Sequence, residues 1–221
     1  MNKILVVAAH ADDETLGCGG TIARHIAEGD HVKILFMTDG VSSRGTQQAA
    51  CEIRNSAAIK ALSALGTKDY QQLDFPDNKM DSLPLLEIVK PIESVISTYQ
   101  PNIVYTHFAD DLNIDHRIVN QAVMTACRPQ NGNSIRKIFS FEVLSSTEWN
   151  STQRPVFNPQ YIVDISDYWG KKVNALNAYK EELRVFPHSR SLECIEALAI
   201  LRGATHGITK AEAFVIERYL V

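Results

Sequence analysis

The feature that most constrains the fold is a regular alternation of strand-like and helix-like segments over the first two thirds of the chain. The strand-like segments are short apolar runs, and the segments between them have the length and patterning of helices. Strands that alternate with helices in this way favour a parallel sheet with helices on both faces. We predict strands at residues 4–9, His31–Met37, Tyr70–Leu73, Ile103–Tyr105 and Ile138–Val143, and helices at residues 15–28, 47–65, Leu85–Tyr99 and Asp115–Cys127.

The last third of the chain has a different character. It begins with residues 145–158, which are polar and rich in Ser, Thr and Asn. A polar stretch of this length predicts a long loop or arm, which is often functional. Beyond it we predict a strand at Tyr161–Ile165 and helices at Asp167–Leu183 and Leu192–Leu201.

The predicted strands Ile4–Val7 and Ile34–Phe36 are continuously apolar, as expected for a sheet that is covered on both faces. No linker divides the chain into two units, so we predict a single domain over residues 1–221. We expect an α/β fold with a Rossmann-like parallel sheet in residues 1–144. A C-terminal strand–helix extension would follow in residues 145–221.

The composition excludes several classes of protein. Hydrophobic residues make up 45% of the 221 residues, which is ample for a globular core. The formal net charge of −4 gives no basic surface for nucleic acid, and no apolar run approaches the roughly 18 residues of a membrane span. Four scattered cysteines argue against a thiolate metal cluster or a disulfide framework. We therefore expect a cytoplasmic protein without a signal peptide, a membrane span or a nucleic-acid partner.

A polar turn with one histidine and three acids follows the first predicted strand. His10, Asp12, Asp13 and Glu14 come soon after the apolar run Ile4–Val7. This much charge at a strand end is costly unless it is used there, and zinc binds both imidazole nitrogen and carboxylate oxygen. We predict His10 and Asp13 as metal ligands and Asp12 as the base that acts on a metal-bound water. The alternative is a solvated turn whose acids cap the next helix.

A second cluster of histidines and aspartates lies between His107 and His116, just past the predicted strand Ile103–Tyr105. The carboxyl ends of strands in an open parallel sheet share one edge, and ligands bind in the crevice there. The two clusters are therefore expected to meet. Since a catalytic zinc site usually has three protein ligands and a water, we predict that His10, Asp13 and His116 are the three ligands.

These two clusters carry a family resemblance. The segment His10–Glu14 resembles the HPDDE motif of the PIG-L/LmbE family of zinc-dependent N-acetyl deacetylases, with Ala11 in place of the usual proline. The segment Asp111–His116 resembles the D-L-N-x-D-H form of the second motif of that family. Weaker matches to the family are Thr38-Asp39-Gly40, Arg54, Phe75-Pro76-Asp77, Pro187–Ser191 and Ala211–Phe214.

The resemblance implies catalytic roles for further residues. Asp12 resembles the catalytic base, and Asp115 resembles the acid that orients the motif histidine. Asn113 stands where many members have a histidine that helps to polarise the acetyl oxygen, so its amide is our candidate for that donor. His188 is the candidate for the missing imidazole and for protonation of the amine. Together with Arg190, it lies between the two C-terminal helices, where a lid or a subunit contact could bring it over the crevice.

Three residues are candidates for contacts with the substrate. Arg44, in a polar loop after the second strand, could bind a hydroxyl-rich or phosphate-bearing substrate or remain a solvated charge. Arg54 and Asp77 match the family and are expected to hold sugar hydroxyls. The resemblance thus implies a Zn²⁺-dependent deacetylase that converts a small N-acetyl sugar or sugar conjugate into acetate and an amino sugar. It leaves open whether the chain forms a homo-oligomer.

Two other interpretations compete with this one. A receiver-like signalling domain could hold magnesium with the paired acids, with Asp74 as the phosphorylated residue, but it leaves His10 and His116 without a role. The glycines at positions 17, 19 and 20 suggest a dinucleotide site, but their spacing is not G-x-G-x-x-G and acids occupy the turn where a pyrophosphate would lie. We expect these glycines to serve close packing of a helix on the sheet.

Overall fold

A computed structural model describes residues 1–38, 48–130 and 132–221. Within these residues the chain forms one seven-stranded sheet and six α-helices. The strands are β1 (Lys3–Ala8), β2 (His31–Thr38), β3 (Tyr70–Phe75), β4 (Ile103–His107), β5 (Lys137–Phe141), β6 (Tyr161–Asp164) and β7 (Ala211–Tyr219). The helices are α1 (Asp13–Ala27), α2 (Gln48–Leu65), α3 (Leu85–Tyr99), α4 (Ile114–Ala126), α5 (Trp169–Ala178) and α6 (Leu192–Ala204).

The strand order across the sheet is β3-β2-β1-β4-β5-β7-β6. The first five strands are parallel. From β1 the chain proceeds to β2 and then β3 at one edge of the sheet, and it then crosses back to form β4 on the other side of β1. The carboxyl ends of β1 and β4 therefore flank the point where the strand order reverses, which is where ligands bind in open α/β sheets. Both predicted clusters of histidine and acid follow these two strands.

Each face of the sheet has its own hydrophobic core, because successive side chains of a strand point to opposite faces. Ile4 and Val6 of β1 pack in the core that contains side chains of α1, α2, α5 and α6. Leu5 and Val7 pack in the core that contains side chains of α3 and α4. All four side chains are fully buried, so β1 is the central strand that supports the turn after it.

The predicted fold class is confirmed, and the C-terminal strands add antiparallel pairing to it. Strand β7 pairs antiparallel with β5, and β6 pairs antiparallel with β7, so the sheet is mixed. We did not predict β7. Its burial does not alternate along the strand, and it carries the buried acid Glu212, so it shows neither of the usual strand patterns. The division at residue 144 stays a prediction.

Two C-terminal helices differ from their predicted lengths. Helix α5 ends at Ala178 rather than Leu183, and Tyr179 leaves helical geometry and donates a hydrogen bond to Glu14. Helix α6 continues through Gly203, where a Cβ would lie 2.7 Å from the carbonyl oxygen of Ile208. This glycine therefore permits close backbone contact rather than ending the helix. Among the described residues, no helix is long and apolar enough to cross a membrane.

The glycines of α1 serve the close packing that we predicted. A Cβ on Gly17 would lie 2.3 Å from the ring of Phe141 in β5, and one on Gly20 would lie 2.8 Å from Ile165. Between these glycines the helix is broken at Cys18, whose φ and ψ of −145° and 23° are not helical. The first turn of α1 is thus held apart from the rest of the helix.

Candidate active site

The turn between β1 and α1 has a strained backbone. Asp12 has φ 138° and ψ −28°, a region that residues other than glycine rarely adopt and that is found at functional sites. Its amide donates a hydrogen bond of 3.0 Å to Oε2 of Glu14, and its carbonyl accepts one of 2.9 Å from the amide of Leu16. The amide of His10 donates to Oδ2 of Asp13 at 2.8 Å. These bonds hold the turn in a single shape.

The three predicted ligands meet at the carboxyl ends of β1 and β4. Oδ2 of Asp13 lies 3.2 Å from Nδ1 of His10 and 3.3 Å from Nε2 of His116. One ligand atom from each of the three residues lies within 4.8 Å of the other two, and all three residues are buried. His116 reaches this point from the first turn of α4, one strand away from the turn that carries the other two. The group could hold a metal ion.

The other ring nitrogen of each histidine faces a carboxylate. Nε2 of His10 lies 3.1 Å from Oδ2 of Asp115 and 3.0 Å from Oδ1 of Asp77. Nδ1 of His116 lies at an ion-pair distance of 3.2 Å from Oδ1 of Asp111, although the two atoms are not aligned as a hydrogen bond. Metal-ligating histidines almost always have such a partner, because it fixes the tautomer and the ring orientation. His10, Asp77 and Asp115 form a second group that could hold a cation, and it shares His10 with the first.

The carboxylates make this region strongly negative. Burial disfavours a charged His116, but Asp13 and Asp111 outweigh it and raise the pKa of His116 to about 9. Burial likewise opposes charge on His10, whose neighbouring acids raise its pKa well above the ordinary value. Burial alone would raise the pKa of Asp13, but the charge of His116 and the hydrogen bond with His10 bring it well below its usual range. The site thus attracts positive charge, whether as protons or as a metal cation.

His107 contacts both the candidate ligand His116 and the end of β1. Its ring stacks on that of His116 with centroids 3.9 Å apart, and its Nε2 accepts a 2.8 Å hydrogen bond from the amide of Ala9. Complete burial and the neighbouring charge of His116 lower the pKa of His107 well below the ordinary value, and this favours the unprotonated Nε2 that accepts from Ala9. It therefore anchors the end of β1 and packs against a candidate ligand.

Asp12 lies beside two arginines. Its Oδ2 accepts a 3.1 Å hydrogen bond from Nη1 of Arg190 and lies 3.7 Å from Nη1 of Arg54. Arg54 also lies 3.1 Å from Oε1 of Glu182 and donates to the carbonyl of Ala11 at 3.1 Å. Burial raises the pKa of Asp12, and the two guanidinium groups oppose that rise. Our sequence analysis missed Glu182, because it lay inside a predicted helix.

Asn113 caps α4. Its Oδ1 accepts hydrogen bonds from the amides of Asp115 at 2.8 Å and His116 at 3.4 Å. Because Oδ1 is fixed by the cap, Nδ2 points away from the helix, and it donates to Oδ1 of Asn78 at 3.2 Å. The adjacent Asp111 is hydrogen-bonded by the hydroxyls of Ser146 and Thr147. Burial would raise the pKa of Asp111, but His116 and these hydroxyls lower it to about 2.

Asp115 joins α4 to the segment after β3. It is completely buried, and its two oxygens accept hydrogen bonds from the amides of Asn78 at 2.7 Å and Met80 at 3.1 Å. The same carboxylate faces Nε2 of His10. The histidine that Asp115 faces is therefore His10, in the first motif.

The remaining predicted residues lie farther out or elsewhere. His188 is half-buried, packs edge-on against Trp149 and accepts a 3.0 Å hydrogen bond from the amide of Arg190. Among the described residues that line the cavity at the site, Arg190 is present and His188 is not. Arg44 lies outside the described residues.

A cavity of about 230 Å³ opens above the candidate ligands. Its described lining is mostly polar, with Leu112 as an apolar member. The volume is below the range of about 300–1,000 Å³ that is typical of pockets for drug-sized ligands. Such a cavity suits a small, hydroxyl-rich molecule whose polar groups can reach acids and arginines on its walls. The polar lining residues are His10, Asp12, Asp13, Arg54, Asp77, Asn78, Asn113, His116, Ser145, Ser146, Glu182 and Arg190.

Comparison with known proteins identifies the family. The family model described as PIG-L, GlcNAc-PI de-N-acetylase, matches residues 5–127, which include both motifs. The chain is 32% identical over 183 residues to YaiS of Escherichia coli K12, an uncharacterized deacetylase, with 80% of this chain and 90% of that protein covered. It is 28% identical over 200 residues to a diacetylchitobiose deacetylase of Thermococcus kodakarensis, covering 82% of this chain and 70% of that protein.

The same fold is found with another reaction. The crystal structure of GalB, a 4-carboxy-2-hydroxymuconate hydratase of Pseudomonas putida KT2440, has a TM-score of 0.80 at 21% identity. The match covers 100% of this chain and 98% of that one. The fold alone therefore does not determine the reaction, whereas the family match covers both motifs and leaves no reason for a receiver-like interpretation. On these comparisons, the chain belongs to the PIG-L family of deacetylases.

Proposed function

We propose that the chain is a metal-dependent hydrolase that removes the acetyl group from an N-acetylated sugar or sugar conjugate and releases acetate and an amino sugar. One observation carries the proposal. His10, Asp13 and His116 converge at the edge of the sheet where ligands bind, and the second ring nitrogen of each histidine faces a carboxylate. The substrate class is supported by relatives such as the diacetylchitobiose deacetylase.

Zinc fits the donor set. Two imidazoles and one carboxylate are typical protein ligands of a catalytic zinc site. Ligands about 2.0–2.2 Å from a tetrahedral ion lie roughly 3.3–3.5 Å from each other. The separations of 3.2 and 3.3 Å between Asp13 and the two histidines agree with this spacing. When bound, zinc supplies Lewis acidity, which makes a coordinated water more acidic and polarises an amide carbonyl.

Asp12 is the proposed general base. It lies next to Asp13 in the turn but faces the opposite wall of the cavity, where Arg190 contacts its Oδ2 at 3.1 Å. Its carboxylate would accept the proton of the attacking water and return it to the leaving amine. The arginines favour the ionised form that can accept this proton, although burial opposes it.

Asn113 is the proposed donor to the acetyl oxygen. Its oxygen is engaged by the helix amides, so the group that can donate toward the cavity is Nδ2. A donor of this kind stabilises the negative charge that develops on the oxygen in the transition state. Arg54 and Asp77 are proposed to contact sugar hydroxyls from the cavity wall. His188 remains a second candidate for protonation of the amine, and Arg44 a candidate for substrate binding.

Product analysis tests the reaction. Purified protein is incubated with free, nucleotide-linked and lipid-like N-acetyl sugars and with N-acetylated disaccharides, and acetate and primary amine are measured separately. We expect both products in equal amounts from at least one substrate. Consumption of a substrate without acetate, or hydration of a carbon–carbon double bond as in the hydratase that shares the fold, would contradict the proposal.

A further inference from the structure

Helix α1 is interrupted directly behind the candidate metal turn. Its first turn, Asp13–Gly17, carries a proposed ligand, and non-helical geometry at Cys18 separates it from the rest of the helix. A break in a helix leaves carbonyls on one side and amides on the other without helical partners. A turn of five residues has little stability of its own, so its orientation depends on what satisfies these groups.

A buried ion pair satisfies both sides of the break. Nζ of Lys172 donates a 2.8 Å hydrogen bond to the carbonyl of Leu16, on the first side. The carboxylate of Glu212 accepts hydrogen bonds of 2.9 and 2.7 Å from the amides of Gly20 and Thr21, on the second side. Lys172 and Glu212 also pair with each other at 2.6 Å. Each charge matches the end of the helix dipole that it meets.

The pair is connected to Asp12 through the backbone of one residue, Leu16. The carbonyl of Leu16 accepts from Lys172, and the amide of the same residue donates to the carbonyl of Asp12 at 2.9 Å. Asp12 is the residue whose φ of 138° is strained, and such a conformation persists only when its surroundings hold it. The contact from Lys172 thus lies one hydrogen bond away from the strained turn.

We propose that Lys172 and Glu212 are positioning residues for the metal turn. By capping both sides of the break in α1, they set the direction of the first turn and hence the placement of the Asp12 and Asp13 carboxylates. This inference rests on the proposed function. Lys172 comes from α5 and Glu212 from β7, and their partners Leu16 and Gly20 lie 156 and 192 residues earlier in the chain, so the C-terminal extension determines the geometry of the first motif.

The test compares Lys172→Met, Glu212→Gln and the double variant with a control. The control is Arg202→Met, which removes a bidentate ion pair between α6 and the residue that follows β5. In that pair Arg202 donates hydrogen bonds of 2.9 and 2.8 Å to the carboxylate of Glu142. Each protein is assayed for zinc affinity by competition with a chromogenic chelator, for kcat and KM of acetate release, and for Tm. Zinc affinity and the division between kcat and KM report on the turn, whereas Tm reports on general stability.

For the single variants we expect zinc affinity to fall about 10-fold or more, the scale seen when outer partners of metal ligands are removed. We expect kcat to fall about 10- to 100-fold with little change in KM, because a displacement of about 1 Å of a catalytic group has this effect. The control should lose stability while retaining zinc affinity and kcat.

The double variant separates positioning from stability. It leaves neither charge buried without its partner, so its Tm should exceed that of Lys172→Met, while its kcat and zinc affinity stay low. Normal kcat and zinc affinity in the double variant would overturn the inference, as would single variants that behave like the control. A wild-type protein that neither binds zinc nor releases acetate would instead refute the proposed function, and the inference with it.

Discussion

The two walls of the cavity are built in different ways. One wall, called the metal wall because it holds the proposed ligands His10, Asp13 and His116, comes from the turn after β1 and from the first turn of α4, which follows β4. The opposite wall is built around Asp12 from Arg54 of α2 and from Glu182 and Arg190 of the segment between α5 and α6. The first wall depends on short local motifs, whereas the second depends on contacts between distant parts of the chain.

This difference suggests a division of work. The metal wall presents nitrogen and oxygen atoms at fixed distances, as a cation requires. In the opposite wall, Arg54 and Arg190 lie near the carboxylates of Asp12 and Glu182. These charged groups influence the charge state of Asp12, and their contacts set the direction of its carboxylate. Variants of the metal wall should therefore lose metal, whereas variants of the opposite wall should keep metal and lose rate.

The largest expected effect is loss of the metal. His10→Ala or His116→Ala removes one of three proposed ligands, so the protein should lose most of its zinc and activity. Elemental analysis of the purified variants measures this. His206→Ala, at an exposed position, is the matched control and should keep its zinc. Full zinc content in His10→Ala or His116→Ala would remove that residue from the ligand set.

The next effect separates the base from the ligand. Asp12→Asn keeps the size of the side chain but cannot accept a proton, so zinc should remain while kcat falls by about 100-fold or more. Asp13→Asn should lose zinc instead. Zinc content and kcat of the two variants, measured side by side, decide between these roles. If Asp12→Asn loses zinc and Asp13→Asn retains it, the two acids have been assigned in reverse.

Asn113→Ala tests the proposed donor to the acetyl oxygen. If Nδ2 acts only in the transition state, kcat should fall by about 10²–10³-fold with KM nearly unchanged. Loss of the helix cap should also cost about 0.5–2 kcal/mol of stability. Asn113→Ser keeps a capping oxygen but lacks the amide, so it should recover stability without recovering kcat. A serine variant with normal kcat would mean that Asn113 serves only as the cap of α4.

The smallest effect concerns Arg190. Replacing it with methionine removes a cation 3.1 Å from Asp12, so the pKa of Asp12 should rise further above its ordinary value. Since the base works only when ionised, the acid side of the kcat–pH profile should move to higher pH, with zinc content unchanged. Arg184→Met, in the same loop, removes a guanidinium that donates to the carbonyls of Glu181 and Leu183 and serves as the control. An unmoved profile in Arg190→Met would separate this arginine from the charge state of Asp12.

The sequence was sufficient to predict the fold class and the meeting of His10, Asp13 and His116, because both rest on local patterns; their role as ligands stays a prediction. Apolar runs identify β1 and β4, and His10 and His116 follow each run closely enough for the sheet to bring them together. Glu182 and Lys172 carry no such pattern, and Glu212 lies only within the weaker family match Ala211–Phe214. Their positions depend on where α5 ends and how β7 joins the sheet, and both follow from tertiary packing rather than from local preference.

Asn113 shows, at a single residue, what local sequence can predict and what depends on tertiary packing. Its place before α4 is readable from the sequence, since asparagine is a favoured N-cap. The capping role also directs Oδ1 toward the helix amides and Nδ2 away from them. That Nδ2 meets Asn78, which lies on a different segment, could not be predicted from the motif alone.

Metal reconstitution tests the central claim most directly. Zinc is removed from the purified protein with a chelator, the chelator is dialysed away, and zinc is added back in steps while bound metal and acetate release are measured together. The account predicts that activity disappears with the metal and returns in proportion to bound zinc, reaching its maximum at one ion per chain. Undiminished acetate release by protein shown to be free of metal would contradict it.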